Sequence, residues 1–175
     1  MMSLQHRPET HHEHSKWADV FPNAFSESVA IDASVEHVWA ILSDVERWPE
    51  WTPTVTRAER LDKGAIRVGS RTRLHQPKLR PVVWEITDWR ANVAFVWVSS
   101  GPGFHVTAEH VLERAGSGCR LTLQLKYRGL IGRLAGAITA TLTRRYLHLE
   151  ATGLKQRSER SSGAAALGTG SGVVK

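Results

Sequence analysis

Trp39, Trp48 and Trp51, three of the seven tryptophans in the chain, fall within the single run Ala33 to Trp51. The spacing inside this run restricts what it can become. Ser34 offers an N-cap oxygen, and His37 stands three residues on, where a capping box would carry Glu or Gln. Val35, Val38, Trp39 and Leu42 recur at the three- and four-residue intervals of one helical face. Pro49 disfavours helical geometry at Trp48 but is tolerated in the first turn of a new helix. The run therefore predicts a strand end, a short helix, a second short helix and an extended exit, with Val38, Trp39 and Leu42 in the core.

The 175 residues suit one domain with a sizeable core, and an apolar content of 41% fits a water-soluble chain. The net charge of +6 is a mild basic bias, read as a surface with excess arginine. No apolar run approaches the ~20 residues of a membrane span, so no integral membrane association is expected. The N-terminus is polar and His-rich rather than signal-like, which makes the cytoplasm the expected location. Cys119 is the one cysteine, so no intramolecular disulfide forms.

Residues 1–22 lack periodicity and carry Pro8, Pro22 and the cluster His11, His12, Glu13 and His14. They read as a flexible arm, with Trp17 and Phe21 able to fold over the domain. From residue 161 onward the chain is small-residue and low in complexity, the composition of a disordered tail over 161–175. The domain is expected over 23–160.

Between the tails, Phe25, Glu27, Val29 and Ile31 share one face of a first strand. Further strands are expected over 54–61, 70–76, 82–90, 93–99, 104–113 and 120–128. Alternation is clearest where Leu121, Leu123, Leu125 and Tyr127 oppose Arg120, Thr122, Gln124 and Lys126. Phe104, Val106, Ala108, His110 and Leu112 alternate in the same way, and Trp84, Ile86 and Asp88 share a face. Turn residues such as Gly101-Pro102-Gly103 and Gly116-Ser117-Gly118 separate the strands. From Leu130 the period changes. Leu130, Leu134, Ile138, Leu142, Tyr146 and Leu149 form the stripe of one long amphipathic helix. Gly132 and Gly136 weaken its start by up to ~1 kcal/mol each and permit a close approach to the sheet or to a partner.

The run Ala33-Ser34, Glu36, Val38-Trp39, Leu42-Ser43-Asp44, Arg47-Trp48-Pro49 and Trp51 resembles the signature of the polyketide cyclase/dehydrase-like branch of the START-like (SRPBCC) superfamily. The resemblance runs more weakly from about Ala24 to about Arg160, through Val68-Gly69-Ser70, Trp84-Glu85-Ile86 and Gly118 to Leu123. It implies an α+β helix-grip fold, a curved antiparallel sheet wrapped around the C-terminal helix. One helix is too thin to fill such a concave face, so large side chains or a small-molecule cavity must take the rest.

The residues expected to line that cavity come from each element in turn: Leu74 and Gln76, Trp84 and Ile86, Phe95 and Trp97, Val106 and His110, Leu123, and Ile138, Leu142 and Tyr146 of the helix. Polar groups facing inward cost a few kcal/mol when unpaired, so they are paired, wet or functional. Glu27, Gln76, Asp88, His110 and Tyr127 form that group, and His110, Glu27 and Tyr127 are the catalytic candidates. A Glu–His pair across a cavity is able to move protons.

The His11–His14 cluster lacks the spacing of a structured zinc site, and no metal or cofactor is expected. Arg71, Arg73, Lys78 and Arg80 crowd one hairpin, but the aromatics follow buried positions instead of interleaving with them, so no nucleic-acid partner is expected. No phosphate loop, nucleophile elbow or paired-cysteine motif occurs. Three functions stay open: binding of a small hydrophobic or amphipathic molecule, cyclase/dehydrase catalysis on such a molecule, or an interaction module whose cavity is filled by Trp84, Trp97 and Phe95. No motif encodes the oligomeric state.

Overall fold

In the computed structural model, which describes residues 24–168 with side chains to residue 162, the tryptophan-rich run forms the two short helices that its spacing predicts. Helix α1 spans Val35–Ser43, and Ser34 Oγ accepts the His37 N–H at 3.2 Å. Val35, Val38, Trp39 and Leu42 are buried. A 3₁₀ helix over Val45–Glu50 follows, with Pro49 inside it. Trp48 is 1% exposed, and its indole N–H donates to Leu42 O at 2.9 Å, which ties the two helices together.

Seven strands surround this element: β1 Ala24–Ile31, β2 Arg57–Arg60, β3 Arg71–His75, β4 Val82–Arg90, β5 Ala94–Gly101, β6 Phe104–Ala115 and β7 Gly118–Arg128. They form one antiparallel sheet in the order β1-β7-β6-β5-β4-β3-β2. The helices inserted after β1 send the chain to the far edge, so β1 pairs with the last strand. Two further helices close the chain, α2 over Leu130–Ile138 and α3 over Ala140–Gly168. α3 packs across β1 and α1, and this curved sheet around a long C-terminal helix is the α+β helix-grip architecture.

Three local features depart from the sequence reading. The segment expected as strand from Thr54 is a buried turn in which Thr52 and Thr54 hydroxyls meet at 2.9 Å, and β2 begins only at Arg57. In β4 a bulge between Ile86 and Asp88 leaves Thr87 unpaired. Because side chains alternate with period two, the extra residue reverses parity. Asp88, expected to face inward, lies opposite Val96 and pairs with Arg90 at 2.9 Å on the outer face. Trp89 takes the inward position against Trp39 and Phe95.

The third departure is in the C-terminal helix, which is two helices. The chain breaks at Thr139, whose hydroxyl donates to Ala135 O at 2.8 Å. α2 turns its glycines to the sheet: Gly132 lies against Phe104, and a Cβ on Gly136 would stand 2.9 Å from the Tyr127 ring. Only the small face can approach so closely. Leu130, Leu134 and Ile138, expected to be part of the buried stripe, therefore face outward and are 86%, 63% and 75% exposed. α3 continues helical to Gly168, beyond the residue-160 boundary expected for the domain. The His-rich arm of residues 1–22, with Trp17 and Phe21, lies outside the described residues.

Candidate ligand cavity

A cavity of about 280 Å³ lies between the concave face of the sheet and the two C-terminal helices. Period-two alternation supplies its sheet wall. Val106, Ala108 and His110 come from β6, Leu123, Leu125 and Tyr127 from β7, Trp97 and Ser99 from β5, and Trp84 and Leu74 from β4 and β3. Leu142, Thr143, Tyr146, Leu147 and Glu150 recur at helical spacing along α3 and form the opposite wall. The β3–β4 hairpin brings Gln76, Leu79 and Arg80 to the rim. Leu79 and Arg80 are exposed, which puts an opening at that hairpin.

Most of the walls are apolar; besides Ser99, Glu109 and Gln124 on the sheet and Gln76 and Arg80 at the rim, the polar side chains form two hydrogen-bonded groups. Tyr127 and Thr143 hydroxyls lie 3.1 Å apart, and Thr143 is 3.4 Å from the Thr139 hydroxyl, a short chain spanning β7, α2's end and α3. Tyr146 is anchored by its hydroxyl, which donates to Pro77 O of the β3–β4 hairpin, and burial pushes its phenol pKa up. Deeper, His110 Nε2 and Glu150 Oε1 are 3.0 Å apart, with side chains 5% and 12% exposed. The His110 ring stacks on Phe95 at 4.3 Å and touches Trp48 and Trp97. Its Nδ1 is covered and has no hydrogen-bond partner among the described residues. A ligand thus reaches this pair through the Glu150 carboxylate rather than the imidazole.

Of the residues expected at the cavity, Leu74, Gln76, Trp84, Trp97, Val106, His110, Leu123, Leu142 and Tyr146 line it, as does Tyr127. Four do not. Ile86 and Phe95 point inward but lie deeper in the core, Phe95 being sealed between Trp97, Trp89 and His110. Ile138 faces out because the glycine face of α2 faces in. Glu27 sits on the edge strand beneath α3 and pairs with His148 at 3.0 Å, so it does not converge with His110. Glu150 was not singled out from the sequence, although a signal existed. It stands four residues after Tyr146 and eight after Leu142, on the face of the stripe beside its last apolar member, Leu149.

Cys119 is buried at the start of β7, where burial first and the Glu36 charge second push its thiol pKa up, unlike an activated nucleophile. Among the described residues no cluster of three or more metal-ligating side chains forms, and no helix is long and apolar enough to cross a membrane.

The chain matches, over residues 23–159, the family model described as polyketide cyclase/dehydrase and lipid transport. Among solved structures it is similar to the Zhui aromatase/cyclase from Streptomyces sp. R1128, with a TM-score of 0.67 and 17% identity over 81% of this chain and 96% of that one. It is similar to the hypothetical protein jhp0584 from Helicobacter pylori, with a TM-score of 0.70 and 12% identity over 89% and 99% of the two chains. A START superfamily protein from Mycobacterium smegmatis aligns with a TM-score of 0.58 and 19% identity over 78% and 97%. No curated protein sequence matches. At these identities the structural likeness speaks for the fold, and the family model covers most of the sequence. The chain belongs to the polyketide cyclase/dehydrase and lipid-transport family, with the START-like helix-grip fold.

Proposed function

We propose that the protein binds a small hydrophobic or amphipathic molecule, a lipid, polyketide or aromatic metabolite, in the space between the sheet and α3. The observation that carries this reading is the cavity itself: about 280 Å³ of largely apolar space with a few polar side chains set into its walls and rim. That is the composition of small-molecule sites, with a volume just below their usual ~300–1,000 Å³ range. The Tyr127–Thr143 hydroxyls and Glu150 supply the anchors that orient a polar end. The space stays open although Trp84 and Trp97 line it and Phe95 packs behind them, which counts against an interaction module with a filled core.

The His110–Glu150 pair favours a second reading, a cyclase/dehydrase. A carboxylate held by an imidazole N–H in an apolar wall is placed to take a proton from carbon next to a ligand carbonyl. The resulting enolate carbon would attack a second carbonyl of the same chain, and protonation and loss of the new hydroxyl as water would complete the closure.

The two readings part under one set of measurements. Native mass spectrometry of protein purified from its own host identifies a co-purified molecule, and thermal shift with tryptophan fluorescence measures its rebinding. In a carrier, Glu150→Gln, which keeps a hydrogen-bonding group and removes the charge, costs about one hydrogen bond of affinity, ~1 kcal/mol. In an enzyme, binding persists while turnover falls by ~10²-fold or more. A screen of lipids, polyketides and aromatic acids with no thermal shift and no fluorescence change would remove both readings.

A further inference from the structure

α2 is an amphipathic helix turned inside out. Its glycines, Gly132 and Gly136, face the sheet, while Leu130, Ile131, Leu134 and Ile138 are 86%, 55%, 63% and 75% exposed. At 100° per residue these four side chains share one half of the helix surface, opposite the glycines, with Arg133 on the flank. Half of the eight large exposed hydrophobics among the described residues are on this one nine-residue helix. A fifth, Leu79, stands on the β3–β4 hairpin at the rim of the same cavity, to which α2 contributes Ala135.

The charges carried by α2, the start of α3 and the β3–β4 hairpin have one sign, although Arg144 also lies over the Phe25 ring at 5.2 Å. Arg133 on α2, Arg144 and Arg145 at the start of α3, and Lys78 and Arg80 on the hairpin are all exposed. No Asp or Glu occurs between Gln76 and Val83, or between Tyr127 and Leu149. Exposed leucine and isoleucine on a short helix, in segments that carry cations and no carboxylate, is the composition of a segment that lies in a membrane interface. Association with a second copy through this face would set the arginines of one patch against those of the other, at an electrostatic cost that an anionic lipid surface turns into attraction.

We propose that α2 and the β3–β4 hairpin dock the protein on an anionic bilayer surface, with Leu130, Ile131, Leu134 and Ile138 entering the acyl boundary and the flanking arginines meeting lipid phosphates. Docking of this kind is peripheral and stands whether the cavity carries or converts its ligand. It sets the cavity's hairpin rim beside the membrane, the source from which an apolar ligand enters.

The test uses the full chain and extruded vesicles, of phosphatidylcholine alone or with phosphatidylglycerol in a ratio of about 7:3. Co-sedimentation with the anionic vesicles is expected at low salt, declining as salt rises and weak on phosphatidylcholine. Leu134→Asp combined with Ile138→Asp should lower the partition coefficient at least ten-fold with the melting temperature unchanged, since both side chains are already in water. If that variant does not fold, the Leu134→Cys chain labelled with nitrobenzoxadiazole is read instead, because Cys119 is buried and escapes the label. Its emission should brighten and shift to the blue on anionic vesicles, while a label at Glu113→Cys, near the opposite end of β6, should not respond. Failure of the wild type to sediment with either vesicle, full binding by the double variant, or an unresponsive Leu134 label overturns the proposal. So does sedimentation velocity showing a wild-type dimer that the double variant splits, which would assign the face to self-association.

Discussion

Glu150 of α3 reaches His110 of β6 at 3.0 Å across the inner end of an apolar cavity, and this pair joins the helix to the middle of the sheet. Glu150→Ala would leave the imidazole Nε2 buried without a partner, a loss of about 1–3 kcal/mol. Glu150→Gln keeps an acceptor for the same N–H and removes only the charge, so it should cost about 1 kcal/mol or less. Urea denaturation of the two variants checks the difference, and equal losses would show that the pair carries no structural weight.

The tryptophan layer beneath α1 should be the most sensitive part of the core. Trp39 is 8% exposed and meets Trp89 at 5.0 Å and Phe95 at 6.2 Å. Trp39→Ala is expected to destabilise by ~3–5 kcal/mol, as for other buried aromatics. Calorimetric melting measures it, and an unchanged transition would contradict the packing described for α1.

At Gly153, α3 crosses the exit of the 3₁₀ helix so closely that a Cβ would collide with the Trp51 carbonyl oxygen. Alanine gains up to ~1 kcal/mol over glycine within a helix. The collision is with backbone, which does not swing away, and overpacking of this kind costs ~1–3 kcal/mol. Gly153→Ala should therefore be destabilising on balance. A melting temperature above that of the wild type would mean that the crossing is looser than described.

Asp62 organises the loop between β2 and β3. It accepts the Arg71 N–H at 2.8 Å, the Ser70 hydroxyl at 2.8 Å and Arg60 Nη2 at 3.1 Å. Chiefly through the Arg71 N–H, and against an opposing effect of burial, its carboxyl is held below the ordinary 3.8. A carboxyl with a depressed folded-state pKa adds stability that is fully present above its unfolded value and fades as pH falls through the lower, folded one. Asp62→Asn should thus be less stable than the wild type at neutral pH, by about 1–2 kcal/mol. The gap should narrow as the pH drops below the ordinary value. Thermal melts across acid pH follow it, and a gap that widens towards acid would reverse the assignment.

Filling the cavity should abolish binding without unfolding the chain. Leu142 is partly exposed on α3 and lines the space opposite the sheet. Leu142→Trp places a large ring in the existing volume instead of a packed core, so the melting temperature should hold while any ligand-induced shift shrinks. Thermal shift with the co-purified molecule measures both at once.

Elements with strong local signals were legible in the sequence. Ser34 and the Val35, Val38, Trp39, Leu42 face defined α1, and the strict alternation of β7 placed Leu123 and Tyr127 on the cavity wall. What escaped were features decided by neighbours. Thr87 has no side-chain property that marks it as a bulge, so Asp88 and Trp89 exchanged faces unseen. The stripe from Leu130 to Leu149 reads as continuous in periodicity, but the apolar face of its first turns is displaced by two glycines that fit where leucine cannot. Glu150 was hidden by the same logic, since a carboxylate on a helix ordinarily signals the wet side.

The bulge in β4 also changes how this chain must be compared with others. A relative whose fourth strand runs straight will align with it at one offset up to Ile86 and at another from Asp88 onward. An ungapped comparison across that point would equate Trp89, which supports α1 from below, with a residue on the solvent side. Substitution patterns read through β4 without that one-residue gap would make a core position look variable and a surface position look fixed.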